Sequence, residues 1–257
     1  MDNKSKLKIE GYCKFDAIIS KDWLNKINKS LPDIFIQHER IRRLNNNPIS
    51  SNGLAINALI GNDLLFEFLI NLINIGLIDW IEENYFEEKC ILNSFTALSN
   101  ISGENKIFHK KYHRDIRGFS GEIPVMLNML VMLDDFTTEN GATLLLPKSH
   151  LEKEKPSEEF FNKFAKPILG RAGDIVIWNS NLYHASGLNY TDKARRALPI
   201  TFSLPYYKQL IDFPRAIGEE KYNHYDEKCR KLLGYDSRVP DSLSKWYSPV
   251  DELMYKN

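Results

Sequence analysis

The stretch GDIVIWNSNLYHASGLNYTDKARRA, Gly173 to Ala197, decides how this chain folds. Its first part, Asp174 to Trp178, is a short apolar run that starts after a glycine and ends in the polar cluster Asn179-Ser180-Asn181. Such a run, bounded by turn formers, reads as a buried strand emptying into a loop. A second run, Ala197 to Leu204, follows directly behind it. Working outward, Ile91 to Leu98, Ile123 to Leu133 and Ala142 to Leu146 share the same texture, each bounded by Gly, Pro, Asn or Asp. Several short strands without regular strand-helix alternation argue against a Rossmann-type sheet. They predict a mainly β protein, an antiparallel sandwich or barrel with helices packed on one side.

The first third reads helical. Asp16 to Leu31 sets Ile18, Ile19, Trp23, Ile27 and Leu31 on one face, with Ser20 as a candidate N-cap. Asn62 to Tyr85 gives more helix, interrupted near Gly76, and the turn formers of Asn45 to Gly53 place a loop before it. Ile211 to Leu233 is charged and helical in pattern and leads into a terminal loop. No repeat or Gly/Ser-rich linker divides the chain. A single domain is expected, with a helical part to about residue 88, a β core over about 89–207 and a tail over about 208–257.

The chain has 257 residues, with 34 basic and 34 acidic side chains and no net charge, which argues against nucleic acid or an anionic membrane surface as the main partner. A 43% hydrophobic and 26% charged composition excludes wholesale disorder. Cys13, Cys90 and Cys229 form no C-x-x-C pair, so they read as structural thiols of a reducing compartment. The N-terminus carries no apolar signal core, and the apolar stretch Leu64 to Trp80 is broken by Glu67, Asn71, Asn74 and Asp79. That stretch reads as a buried helix pair, and a cytoplasmic protein is expected.

Three of the six histidines head a His-x-acid triplet: His113 to Asp115, His150 to Glu152 and His224 to Asp226. On a strand, residues i and i+2 share a face, so a His and an Asp can converge on one ion. On a helix they diverge. His224 and Asp226 fall in the helical tail and read as a solvated face. His150 follows a Pro-Lys-Ser turn, where packing or capping is the natural role. His113 and Asp115 lie between strands and are the best pair. His184, at the end of a strand and 71 residues on, can supply a second imidazole. Two imidazoles and one carboxylate make the facial triad of non-haem iron oxygenases, whereas structural zinc prefers four closed ligands richer in sulfur.

The stretch from His113 to about Tyr207 resembles the phytanoyl-CoA dioxygenase family. The resemblance is carried by His113-Arg114-Asp115, by LDDFTTENGATLLLPKSH (Leu133 to His150) and by the Gly173 to Ala197 segment, with IEGYCKFDAIISKDWLNKI (Ile9 to Ile27) similar to the family's opening strand and first helix. It implies a double-stranded β-helix (jelly-roll, cupin-like) core that binds Fe(II) and uses 2-oxoglutarate and O2 as cosubstrates. His113, Asp115 and His184 match the iron ligands. Arg195 matches the arginine that grips the distal carboxylate of the keto acid, and Ser186 a hydroxyl that assists it. Arg196 is the obvious confusion, but on a strand it faces away from Arg195. Asn128 and Thr96 are further candidates for the cosubstrate, with a satisfied core amide the competing reading of Asn128. The family's Pro-Gly-Ser-His turn reads Pro147-Lys148-Ser149-His150 here, which puts the geometry of that turn in question.

The activity implied is hydroxylation of an unactivated C–H on a small organic metabolite, with release of succinate and CO2. A carboxylate at Asp115 fits hydroxylation, since halogenating relatives carry a small residue there. Lys110, Lys111, Arg114 and Arg117 crowd the metal pair and read either as a solvated loop or as a clamp for an anionic substrate. Arg117 is the foremost of them, and Trp178 is a candidate pocket wall. Asp134 and Asp135 read as a strand end and receive no catalytic role. A non-catalytic β-helix binding protein is the alternative, and a cupin-like metal hydrolase would leave Arg195 unexplained.

Overall fold

The computed structural model of the chain describes residues 1–47, 53–101 and 111–249. Lys110 and residues 48–52 of the turn-rich stretch lie outside them. The strands are β1 (Tyr12–Phe15), β2 (Leu54–Ala55), β3 (Ile91–Phe95), β4 (Ala97–Asn100), β5 (Met126–Met132), β6 (Leu144–Leu145), β7 (Lys166–Pro167), β8 (Ile175–Asn179), β9 (His184–Ala185) and β10 (Arg195–Ser203). They form two antiparallel sheets, a larger one ordered β1-β8-β5-β10-β4-β2, with β3 also on β10, and a smaller one ordered β7-β6-β9.

Side-chain alternation along the larger sheet splits the core. Leu127, Met129 and Val131 of β5, Ile175 and Ile177 of β8, and Leu198, Ile200 and Phe202 of β10 point into one apolar cluster with the helices. The residues between them, Leu130, Met132, Val176, Trp178 and Ala197, point into a second cluster with Leu145 of the smaller sheet and Phe136. A sheet covered on both faces needs apolar side chains at successive positions, which is why all seven residues of β5 are buried.

The helical layer comprises α1 (Asn3–Glu10), α2 (Lys21–Leu44), α3 (Asp63–Asn74) and α4 (Leu77–Ile81), the last continuing as a π-helical turn, Glu82–Phe86. Ser20 accepts from the Trp23 N–H at 3.4 Å, so α2 starts at Lys21, and Ile18 and Ile19 precede the helix rather than sharing its face. Both donate backbone N–H groups to the Gly173 carbonyl instead. The helix also continues past Leu31, through Pro32. A proline inside a helix costs about 3 kcal/mol in propensity, and burial of Leu31 and Ile34 on either side overrides it. Gly76, at φ 77°, separates α3 from α4 as its sequence position suggests. Among the described residues no single helix is long and apolar enough to cross a membrane, and α3 meets Leu77–Phe86 at a 61° bend.

Other expected elements hold with shifted bounds. The Ile91–Leu98 run breaks at Thr96, whose N–H turns to Pro199 O, and Ala142–Leu146 pairs only through Leu144 and Leu145. The tail divides into α6 (Phe213–Ile217), a 3-10 turn (Glu219–His224), α7 (Glu227–Leu233) and, beyond it, α8 (Leu243–Trp246), with α5 (Glu158–Phe164) inserted earlier. His224 and Asp226 are exposed, as a solvated face requires, and Asp226 is also the N-cap of α7, accepting from the Cys229 N–H at 2.8 Å. The three cysteines are free and buried, and burial raises the Cys13 and Cys229 thiols to about 12.

Asp174 ties the opening strand to the sheet. It accepts from the N–H groups of Ala17 at 2.8 Å and Arg171 at 2.9 Å and from the Lys14 ammonium at 2.9 Å. Burial alone would raise its pKa, but these donors outweigh burial and hold the carboxyl below its ordinary value. Its contribution to stability is present above the unfolded carboxylate pKa of about 4 and is lost as pH falls through the lower folded value. Asp174→Asn is expected to cost about 2 kcal/mol at neutral pH. Urea midpoints of variant and wild type should converge in acid.

Lys148 adopts φ 66°, the left-handed conformation for which the related turn carries glycine. An L side chain there costs about 1 kcal/mol. Lys148→Gly should raise the urea midpoint by the equivalent of about 0.5–1 kcal/mol.

Candidate metal centre

His113 and His184 sit opposite each other as an isolated antiparallel bridge, each donating its N–H to the other's carbonyl at 3.0 Å. That pairing hangs the His113 segment on β9 and brings the two rings within 4.4 Å of each other, centroid to centroid. Asp115, two residues on, turns back between them. Its Oδ1 lies 3.3 Å from His113 Nε2 and its Oδ2 3.4 Å from His184 Nε2. The three ligand atoms all lie within 4.8 Å of one another. Bonds of about 2.1 Å meeting at right angles place donor atoms about 3 Å apart, so the cluster has the dimensions of three adjacent metal ligands.

Both imidazoles are oriented by their own backbone. His113 Nδ1 lies 3.1 Å from Lys111 O, and His184 Nδ1 lies 3.1 Å from Leu182 O. A carbonyl accepts only, so each Nδ1 carries the proton and each Nε2 presents its lone pair toward Asp115. The Asp115 carboxylate would accept from Nε2 of a protonated His113 and so raises the His113 pKa, while burial lowers that of His184. Desolvation would raise the Asp115 carboxyl, yet His184 and His113 hold it below the usual range. Two nitrogens and one carboxylate oxygen, with the rest of the sphere open to a cavity, form a donor set suited to a divalent transition metal.

The residue between the ligands fixes the segment. The Arg114 guanidinium donates to Lys153 O at 3.0 Å, to Ser149 O at 3.3 Å and to Glu152 O. It lies 4.3 Å over the Tyr183 ring and 5.0 Å from that of Phe119. The neighbour of one ligand is thus clamped to the neighbour of another.

Arg195 is 1% exposed at the head of β10. One Nη donates to Ser186 Oγ at 3.1 Å, and the guanidinium lies 4.2 Å over the Phe136 ring. Its Nε and other Nη have no hydrogen-bond partner among the described residues, and burial lowers its pKa to about 10. A buried cation with idle donors is costly unless an anion meets it. Arg196 faces away and grips Asp134 through Nε at 2.8 Å and Nη at 2.6 Å. Asp134 is therefore a structural counter-ion, and Asp135 accepts from the Ala172 N–H.

Thr201, Asn128 and Trp178 are opposite one another in successive pairs across β10, β5 and β8. Thr201 Oγ1 donates to Asn128 Oδ1 at 3.1 Å, so half of the amide is satisfied. Asn128 Nδ2 and Trp178 Nε1 have no partner among the described residues. The amide still lies near enough to lower the Asp115 pKa, and the indole stands edge-on to His184 at 5.3 Å. A cavity of about 860 Å3 opens from the cluster, lined by His113, Asp115 and His184 with Thr96, Arg117, Trp178 and Ser186. His150 stays apart, its Nε2 on Lys8 O, and His224 lies in the tail. Sequence reasoning missed Asn100, whose Nδ2 reaches Ser186 Oγ and Gly187 O at 3.4 and 3.1 Å and which stands opposite Arg195 in register. An asparagine closing a strand reads only as a turn former.

Arg114→Ala is expected to weaken Co(II) affinity at least about tenfold, the loss typical of a group that orients ligands, with Arg114→Lys recovering part of it. Isothermal titration of the metal-free protein reads both.

Among known proteins, a sequence model of the phytanoyl-CoA dioxygenase (PhyH) family matches residues 84–197, which contain His113, Asp115, His184 and Arg195. An uncharacterized protein of Mycobacterium tuberculosis is 33% identical over 166 residues, 65% of this chain and 59% of that protein. The dioxygenase olcK of Penicillium canescens is 36% identical over 117 residues, 43% of this chain and 36% of that enzyme. The chain thus spans three-fifths or less of the curated relatives it matches. AviO1 from Streptomyces viridochromogenes superposes with a TM-score of 0.58 at 16% identity, covering 79% of this chain and 94% of that one. SnoN, an epimerase solved with Fe3+, alpha ketoglutarate and nogalamycin RO, superposes with a TM-score of 0.59 at 17% identity, over 80% of this chain and 84% of that one. At these identities the likeness to both structures is one of fold.

Proposed function

Because a sequence model of the phytanoyl-CoA dioxygenase family matches residues 84–197, we propose that the chain is an Fe(II)- and 2-oxoglutarate-dependent dioxygenase on a double-stranded β-helix. The product would be a hydroxylated small organic metabolite, with succinate and CO2 released. The observation that carries this reading is the coincidence of two sites in one fold. A facial His-Asp-His cluster lies at the cavity, and a buried arginine with idle donors stands beside Ser186. A hydrolase would use the first and have no need of the second.

His113 Nε2, Asp115 and His184 Nε2 would hold the iron, and Arg195 with Ser186 the distal carboxylate of the keto acid. When bound, the pair supplies the oxidising power that side chains lack. The chain's own residues do the rest. The Lys111 and Leu182 carbonyls keep both imidazoles in the tautomer that offers Nε2. Arg195 is planar and stays charged at neutral pH, so it fixes the direction of a carboxylate as well as its position. Leu130, Trp178 and Pro199 line the cavity and exclude water from its inner end.

Hydroxylation is the outcome proposed. Epimerisation is the second reading, favoured by the likeness of fold to SnoN. Product mass separates them, since hydroxylation adds one oxygen and epimerisation leaves the mass unchanged.

Anaerobic addition of Fe(II) and 2-oxoglutarate should give a weak visible charge-transfer band that requires both. His184→Ala is expected to abolish it. Arg195→Gln should keep iron binding but raise the 2-oxoglutarate concentration for half-maximal absorbance by about tenfold or more. A band unchanged in both variants would sink the assignment.

A further inference from the structure

The cavity beyond the metal cluster has walls of two kinds. Ile56 and Leu210 line it while remaining 46% and 56% exposed, and Met126 and Tyr207 extend the same apolar surface. Arg117 and Lys208 line it as well, one from the segment that follows Asp115 and the other from the segment that follows β10. Neither has a carboxylate within ion-pair reach among the described residues. Asp115 is the sole acid among the described residues of the lining.

A solitary exposed Lys or Arg is ordinarily a solvated charge that does little. These two share one concave space with low-dielectric walls, where like charges without counter-ions focus an attractive field for anions. The segment carrying Lys208 is also fixed in place. Asn93 Nδ2 donates to Lys208 O at 3.1 Å, and Gln209 Nε2 donates to Leu92 O at 2.6 Å and Leu233 O at 3.1 Å. The cavity's 860 Å3 lies toward the upper end of the roughly 300–1,000 Å3 of pockets that hold drug-sized ligands. A keto acid of five carbons would leave much of it free.

We propose that this outer cavity takes an organic anion with an apolar body. Arg117 and Lys208 hold its carboxylate or phosphate group, and Ile56, Met126 and Leu210 cover its hydrocarbon or aromatic part. The inference rests on the oxygenase reading only in calling the bound molecule a substrate, because the binding itself needs no metal. Arg195, buried beside Ser186, is a separate cation that serves a separate ligand.

The test uses metal-free full-length protein and two probe pairs, decyl phosphate against decanol and biphenyl-4-carboxylate against its carboxamide, titrated by calorimetry below any micelle threshold. At least one anion should bind about tenfold or more tightly than its neutral counterpart, the value of a charge-assisted contact. Arg117→Gln combined with Lys208→Gln should bring the pair to parity while leaving the neutral probe's affinity unchanged. Both positions are exposed, so folding is expected to be retained, and a thermal melt checks it. Arg195→Gln should keep the preference, which separates this site from the keto acid site. Equal affinities, absence of binding by all four probes, or a preference that survives the double substitution overturns the proposal. A preference that disappears in Arg195→Gln alone overturns it too. None of these results depends on whether iron and 2-oxoglutarate bind.

Discussion

A strand whose side chains alternate between two apolar cores has no face left for water, and β5 and β8 are in that position, while β10 gives one face to the helical core and turns Pro199 and Thr201 to the cavity. Their backbone polar groups must then be satisfied within the sheet, which they are through a continuous antiparallel register from β1 to β10. The helical layer seals one face, and the smaller sheet seals most of the other. Where the smaller sheet's cover stops, the inner face opens as the cavity. A polar group on that face either meets a neighbour, as Thr201 meets Asn128 and Arg195 meets Ser186, or is left at the cavity without one, as the Trp178 indole N–H is. The site is therefore a consequence of incomplete coverage on one side of a fully committed sheet.

The division of labour around the metal cluster follows from the same economy of structure. Neither histidine depends on a remote side chain for its orientation, since each ring is held by the carbonyl two residues before it. The reciprocal backbone bridge between His113 and His184 fixes their separation, and Arg114 fixes the segment against Tyr183 and the Ser149 turn. Short-range backbone geometry sets the ligands' direction, and one long side chain sets their register.

Much of this was legible in the chain itself. Apolar runs bounded by turn formers located the central strands, because burial on both faces leaves an unmistakable texture. The His113, Asp115 and His184 grouping could be selected because only that His-x-Asp lay in a strand-like context, and alternation separated Arg195 from Arg196. What could not be read were features set by tertiary contacts. Pro32 sits inside α2 because packing outweighs propensity. Asp226 caps a helix whose start the charge pattern blurred. Asn100 and Arg114 act through carbonyls that are distant in sequence, and no local pattern announces such partners.

The three cysteines carry a consequence of another kind. The thiolate, not the thiol, is the form that oxidants attack. Cys13, Cys90 and Cys229 lie in the apolar cluster shared with the helices, with burial pushing each thiol upward and away from ionisation at neutral pH. A centre that handles dioxygen, as proposed for this one, would expose its own scaffold to stray oxidants. This scaffold keeps its sulfur protonated and on the opposite side of the sheet from the His-Asp-His cluster, where such oxidants would reach it last.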